Sequence, residues 1–123
     1  MIHHLQNLPS NIVGFKAVGE ITEEDFSETV MPKVKELIDK TDQLNYLLVL
    51  ETSLKNFTVG AWMKDALMGI KHLTKWNRAV VVSDTEAILS FTNFFSYLMP
   101  GEFKGFEHQD LEKAIEWVAG KTN

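Results

Sequence analysis

Glu51, Asp65 and His72 are the titratable side chains whose placement comes nearest to acid–base chemistry. General acid–base catalysis needs such groups to converge in one pocket. Asp65 and His72 are seven positions apart, so on one helix they share a side but stand roughly 10 Å apart along the axis. That is too far for a direct hydrogen bond, and no recognisable motif sets a nucleophile beside them. Glu51 follows an apolar run and reads equally well as a functional residue or as a solvated carboxylate next to a helix start. His3 and His4, as neighbours on a strand, would point to opposite faces. His72 and His108 have no acidic partner at ligand spacing, so no metal site and no enzyme activity is expected.

Two stretches suggest binding instead. Lys64, Lys71, His72 and Lys75 gather on one side of a helix expected over residues 59–76, with Arg78 just beyond. They form either a solvated face or a contact for anionic headgroups or an acidic partner. Thr58 and Gly60 open that helix, where free amides could receive an anion. The second stretch is residues 87–101, which carry no charge at all. Ile88, Leu89, Phe91, Phe94, Phe95, Tyr97, Leu98 and Met99 cover most of its helical circumference, leaving only Ser90, Thr92, Asn93 and Ser96 as polar relief. Something beyond a sheet must cover such a helix. The candidates are a buried or homodimer contact, the wall or lid of an apolar ligand pocket, and a membrane interface.

Composition bounds the class. The 123 residues are expected to form one domain spanning 1–123, long enough to hold a core without a metal or a disulfide. The chain has no cysteine, which removes thiol chemistry and fits a cytoplasmic setting. No secretory leader is visible at the start, and no run approaches the roughly 20 apolar residues of a membrane span. A net charge of −5 argues against nucleic-acid binding, which needs a basic surface.

The elements that would position these residues follow from hydrophobic period. Tyr46-Leu47-Leu48-Val49-Leu50 and Ala79-Val80-Val81-Val82-Ser83 are continuous apolar runs, as expected of strands covered on both faces in a parallel sheet. The 59–76 helix between them completes a βαβ unit. Its inward positions would be Val59, Met63, Ala66, Leu67, Ile70 and Leu73. The loop 51–58 then lies at the carboxyl end of the first strand, where open α/β sheets place ligands. Residues 2–8 read as a weak strand, paired through a turn at 8–11 with a strand in which Val13, Phe15, Ala17 and Ile21 form the apolar face. Thr22 should cap a helix whose buried stripe is Phe26, Val30, Val34, Leu37 and Ile38. Pro32 should kink or break that helix. Ser83 and Glu86 suggest a capping box. Residues 102–106 read as an edge strand, and a last helix over 110–119 would face Leu111, Ala114, Ile115 and Val118 inward before Gly120 stops it.

The span 12–118 resembles the SpoIIAA-like family, relatives of the STAS domains that also resemble the CRAL-TRIO lipid-binding fold. The residues that carry the resemblance are Tyr46-Leu47-Leu48-Val49-Leu50, the loop ending in Phe57, the segment 61–72, Arg78-Ala79-Val80-Val81-Val82-Ser83-Asp84, and Ala114-Ile115-Glu116-Trp117-Val118. It implies an α/β domain with a mixed, mostly parallel sheet of about five strands flanked by about four helices. It also implies no cofactor, no enzyme activity, and an apolar-ligand or membrane role for 87–99. In that reading Phe57, Thr58, Gly60 and Trp62 form one wall of a site for an apolar or amphipathic small molecule, a lipid included. Phe91, Phe94, Phe95, Leu98 and Met99 form the other, and Lys64, Lys71 and Lys75 face headgroups at the inner face of a membrane. The alternative implied by the resemblance is an anti-sigma-antagonist type of partner module switched by phosphorylation. Thr58, and Ser53 earlier in the loop, are the acceptors available, although the expected Asp-Ser pair is missing; a phosphate would add roughly two negative charges.

Overall fold

The computed structural model describes residues 1–19, 22–51, 76–84, 86, 89 and 101–120. Its centre is β3, Leu44–Leu50, in which all seven residues are buried. β2 (Val13–Ala17) and β4 (Trp76–Val82) run parallel to it on either side. β1 (Ile2–His4) pairs antiparallel with β2, and β5 (Glu102–Phe106) pairs parallel with β4. The spatial order is therefore β1-β2-β3-β4-β5, a mixed, mostly parallel five-stranded sheet as expected. β1 is shorter than the 2–8 expected of it. Beyond His4 only the Leu5 amide still reaches Gly14 O, at 2.8 Å, while Leu5 and Leu8 turn into the core.

Strand alternation divides the core into two layers. Phe15, Ala17, Leu44, Tyr46, Leu48, Leu50, Ala79 and Val81 face one side and pack with Phe26, Val30, Val34 and Leu37. Leu47, Val49, Val80 and Val82 face the other and pack with Ala114 and Val118. On the first side an aromatic row crosses the sheet. His4 meets Phe15 at 5.6 Å, Phe15 meets Tyr46 at 5.7 Å, and Tyr46 meets Trp76 edge-on at 6.0 Å between ring centres.

The helical segment over the first layer starts where Thr22 was expected to start it. Thr22 Oγ1 accepts from the Asp25 amide and Asp25 Oδ2 accepts from the Thr22 amide, both at 3.1 Å, a reciprocal cap. Burial works against the Asp25 carboxylate, but the Thr22 amide and the Met1 amino group hold its pKa below the ordinary value. Pro32 does not end this segment. α1 (Glu23–Asp25) passes into a π turn, Phe26–Val30, and α2 (Met31–Thr41) continues from it. The Met31 amide donates to Phe26 O, five residues back. The wide turn sets Pro32 in the first turn of α2, where a missing amide costs little. Asp42 then closes the helix in the left-handed region, φ 61°, with its amide on Ile38 O at 2.7 Å.

The second layer is covered by a 3₁₀ turn, His108–Asp110, leading into α3, Leu111–Val118. Ala114 and Val118 are fully buried, with Leu111 and Ile115 at the margin, the face that the spacing predicted. Two helical segments thus flank the sheet among the described residues. The other two expected helices, over 59–76 and 87–99, fall almost wholly outside them. Leu89 and Trp76 are the exceptions, and Trp76 is a correction, because it belongs to β4 rather than to the crossover helix. Its ring packs on Tyr46 in the first layer, and polar Asn77 and Arg78 conceal the strand from a reading by apolar runs. The capping box expected at Ser83 is preempted in part: its amide donates to Phe106 O at 3.0 Å.

The amino end of the sheet is tied by amides. Register places Leu44 opposite Trp76 and Asn45 opposite Arg78, so Asn77 is the extra residue of a β-bulge. Asn77 Nδ2 donates to buried Asn45 Oδ1 at 2.9 Å, Asn45 Nδ2 to Asn11 O at 3.0 Å, and Asn11 Nδ2 to Ala119 O at 2.9 Å. Arg78 Nη1 donates to Trp117 O at 2.6 Å while its guanidinium lies 4.8 Å from the Trp117 ring centre. Gly101 comes in against this bulge, and a Cβ there would lie 2.5 Å from Asn77 O.

Gly101→Ala should lower stability by about 1–3 kcal/mol, because the obstacle is backbone and cannot swing away; a urea midpoint equal to that of the parent would contradict the close approach. Burial also raises the pKa of the Tyr46 phenol. The folded state therefore holds a proton that the unfolded chain releases, and stability should fall as pH rises above the ordinary phenol value of about 10. In a Tyr97→Phe background, phenolate absorbance should appear only together with unfolding.

Candidate functional site

The expected site lies at the carboxyl end of the parallel strands, and its described part is the rim formed by the ends of β2 to β5. β2 ends at Ala17, whose carbonyl accepts the Glu51 amide at 2.9 Å. That bond carries the ladder one residue past β3 and fixes where the chain departs. The Glu51 carboxylate meets Lys16 Nζ at 3.1 Å, with both side chains near two-fifths exposed. Glu51 is thus a solvated carboxylate paired with a lysine. An exposed pair of this kind contributes little to stability, but it sets opposite charges side by side at the mouth of the sheet.

The other side of the rim is built by β5. After Phe106 the chain turns at Glu107 into the 3₁₀ turn, and His108 Nε2 reaches Leu50 O at 2.9 Å. A carbonyl oxygen can only accept, so Nε2 carries the proton in this contact. The ring therefore spans from the exit of β5 to the exit of β3, over the end of β4, where Ser83 is buried and bonded to Phe106. This bridge joins residues 58 apart in the chain, and no local signal announces it. His108 looked idle in the sequence because its partner is a backbone carbonyl, which every residue possesses.

Phe57, Thr58, Gly60 and Trp62, the lysines Lys64, Lys71 and Lys75, and Ser53 all lie outside the described residues, as do Asp65 and His72. So do Phe91, Phe94, Phe95, Leu98 and Met99. What is described is the frame from which those segments leave. Residues 52–75 depart from the Glu51 corner, and residues 85–100 depart from β4 beyond Asp84, with Glu86 and Leu89 described within them. Leu89, one of the apolar positions of the uncharged stretch, is 60% exposed. His3 is exposed and His4 lies against Phe15, in keeping with side chains on opposite faces. No group of three or more metal-ligating side chains occurs among the described residues. No helix among them is long and apolar enough to cross a membrane.

The rim offers hydrogen bonding and charge pairing at the carboxyl end of the parallel strands. Replacing His108 with Ala should cost about 1 kcal/mol, the value of one partly buried hydrogen bond. It should also speed hydrogen exchange at the Glu51 amide, and exchange unchanged from the parent would show that the bridge does not hold that corner.

Comparison with known proteins fits this frame. The profile of the SpoIIAA-like family matches residues 12–119. A crystal structure of an uncharacterized protein from Shewanella loihica, described as having a SpoIIAA-like fold, is similar at 24% sequence identity with a TM-score of 0.64. The match covers 95% of this chain and 93% of that one. At that identity the likeness speaks for the fold alone. No curated protein matches the chain.

Proposed function

This chain belongs to the SpoIIAA-like family, and on that premise we propose that it is a non-enzymatic binding domain for an apolar or amphipathic small ligand, a lipid included. The family match supports a regulatory or binding domain. The finer reading rests on one observation: the uncharged stretch 87–101 leaves the carboxyl end of β4, and its described residue Leu89 is 60% exposed. One exposed Leu is ordinary by itself, but its place in a stretch without any charge supports reading that stretch as a surface that receives something. The carboxyl ends of parallel strands are also where open α/β sheets bind ligands.

In this proposal Phe57, Thr58, Gly60 and Trp62 line one wall of the site, with Phe91, Phe94, Phe95, Leu98 and Met99 opposite. Lys64, Lys71 and Lys75 lie toward anionic headgroups. The stretch 87–99 serves as the lid and as the contact when the protein rests on a membrane from the cytoplasmic side. A second copy of the chain is the competing cover for the same residues.

Liposome flotation with anionic and neutral vesicles, alongside native mass spectrometry, tests the proposal. Flotation or co-purifying apolar mass is expected, and Phe94→Asp or Phe95→Asp should abolish it while the protein stays folded. If those variants unfold, the stretch is core, since an unpaired buried charge is strongly destabilising. A clean dimer without bound mass or flotation would overturn the lipid reading. The family match then supports a partner module, for which Thr58→Glu or Ser53→Glu should alter capture of a protein partner.

A further inference from the structure

At the opposite end of the sheet a cleft opens between α2 and the turn that joins β1 to β2. We propose that it binds a small carboxylate carrying a short apolar stem. The inference does not depend on the function proposed above, because the cleft lies beside the start of β2 and the carboxyl-terminal half of α2, away from the carboxyl rim.

The cleft holds about 130 Å³. At roughly 30 Å³ per water that is space for about four waters, too little for a lipid or a nucleotide and roughly the bulk of butyrate. Its floor is apolar, made by Ile12, Val13 and Leu37. These residues are buried and belong to the core, so the floor offers apolar contact to a short stem. Its rim is polar and predominantly cationic, with Lys33 and Lys40 from α2 and with His4 and Ser10 from the facing segment.

Lys33 and Lys40 are seven residues apart on α2, two turns along one face, and flank the opening. Glu36 stands between them on the rim and is taken by Lys33 at 3.7 Å. Lys40 has no carboxylate within 4.0 Å among the described residues, which leaves the cleft with one cation in excess. The pKa of His4 is pushed down by burial first and by the Lys33 charge second, with Glu36 opposing them. A neutral His4 ring receives the Gln6 side-chain amide on Nδ1 at 3.3 Å, so its own proton sits on Nε2.

An anion would therefore find a mobile ammonium, a hydroxyl and an imidazole N–H around an apolar floor, in a protein whose net charge is −5. The acidic background makes the site selective by position: anions are repelled elsewhere and accepted here. Phosphate could meet the cations but would leave the apolar floor unused. An amine of equal length could fill the floor but would meet Lys33 and Lys40 as like charges.

The test is a chemical-shift titration of the full chain with butyrate as the probe, and with n-butylamine and inorganic phosphate as controls. Saturable shifts are expected at the amides of His4, Ser10, Leu37 and Lys40, with millimolar affinity. Lys40→Gln should weaken binding about tenfold, the value of one charge-assisted contact. Lys40→Gln breaks no ion pair among the described residues, so its unfolding midpoint should match that of the parent and separate lost binding from lost structure. Shifts that never saturate, an equal response to n-butylamine, phosphate binding as tight as butyrate, or full binding by Lys40→Gln would each overturn the proposal.

Discussion

The structure depends on the burial of both faces of Leu44–Leu50. A strand with neighbours on each side and side chains in two cores has no solvent to satisfy its backbone, so its amides and carbonyls must pair in full ladders. Parallel pairing with β2 and β4 does this. Parallel neighbours need crossovers that cover the sheet; α2, between β2 and β3, is the described crossover on one face, and α3, after the last strand, covers the other. The five-residue pairing of β2 and the longer pairing of β4 hang on this strand, and the outer strands β1 and β5 hang on those.

The two ends of the sheet are finished differently. At the amino end Asn11, Asn45 and Asn77 hand hydrogen bonds from strand to strand and on to Ala119 O at the close of α3. Arg78 adds a bond to Trp117 O and stacks on the Trp117 ring. Asn45, the middle member, is buried, and low polarity around it raises both the strength of a made bond and the cost of a missing one. At the carboxyl end the side-chain ties among the described residues are Lys16 with Glu51, an exposed pair, and His108 with Leu50 O.

Leu89 and the cleft beside α2 differ in how apolar surface comes to meet solvent. Leu89 is exposed in a stretch whose sequence carries no charge. In the cleft, core residues Ile12, Val13 and Leu37 are reached from outside because the turn before β2 and the face of α2 do not meet above them. A π turn just upstream of α2 is part of the same geometry, since it is what carries the helix past Pro32 and lays Lys33, Glu36 and Lys40 along the opening.

Much of the sheet was legible in the sequence by itself. The apolar runs at 46–50 and 79–83, the alternation of Val13, Phe15 and Ala17, and the spacing of Val30, Val34 and Leu37 state which residues avoid water. For strands and helices the period of that avoidance is the period of the backbone. Thr22 and Gly120 marked helix ends because capping is local chemistry. Trp76 was assigned to the wrong element because Asn77 and Arg78 look solvated, and only their partners Asn45 and Trp117 O, brought close by folding, make them strand residues. The helical run through Pro32, the contact of His108 with Leu50 O and the pairing of Lys16 with Glu51 were equally invisible. Each depends on a distance between residues far apart in the chain or on a turn geometry that no residue type encodes. The sequence determined which faces must be buried, through patterns repeated every two or four residues; the tertiary structure alone decided which polar groups meet, because those meetings are set by the packing of whole elements.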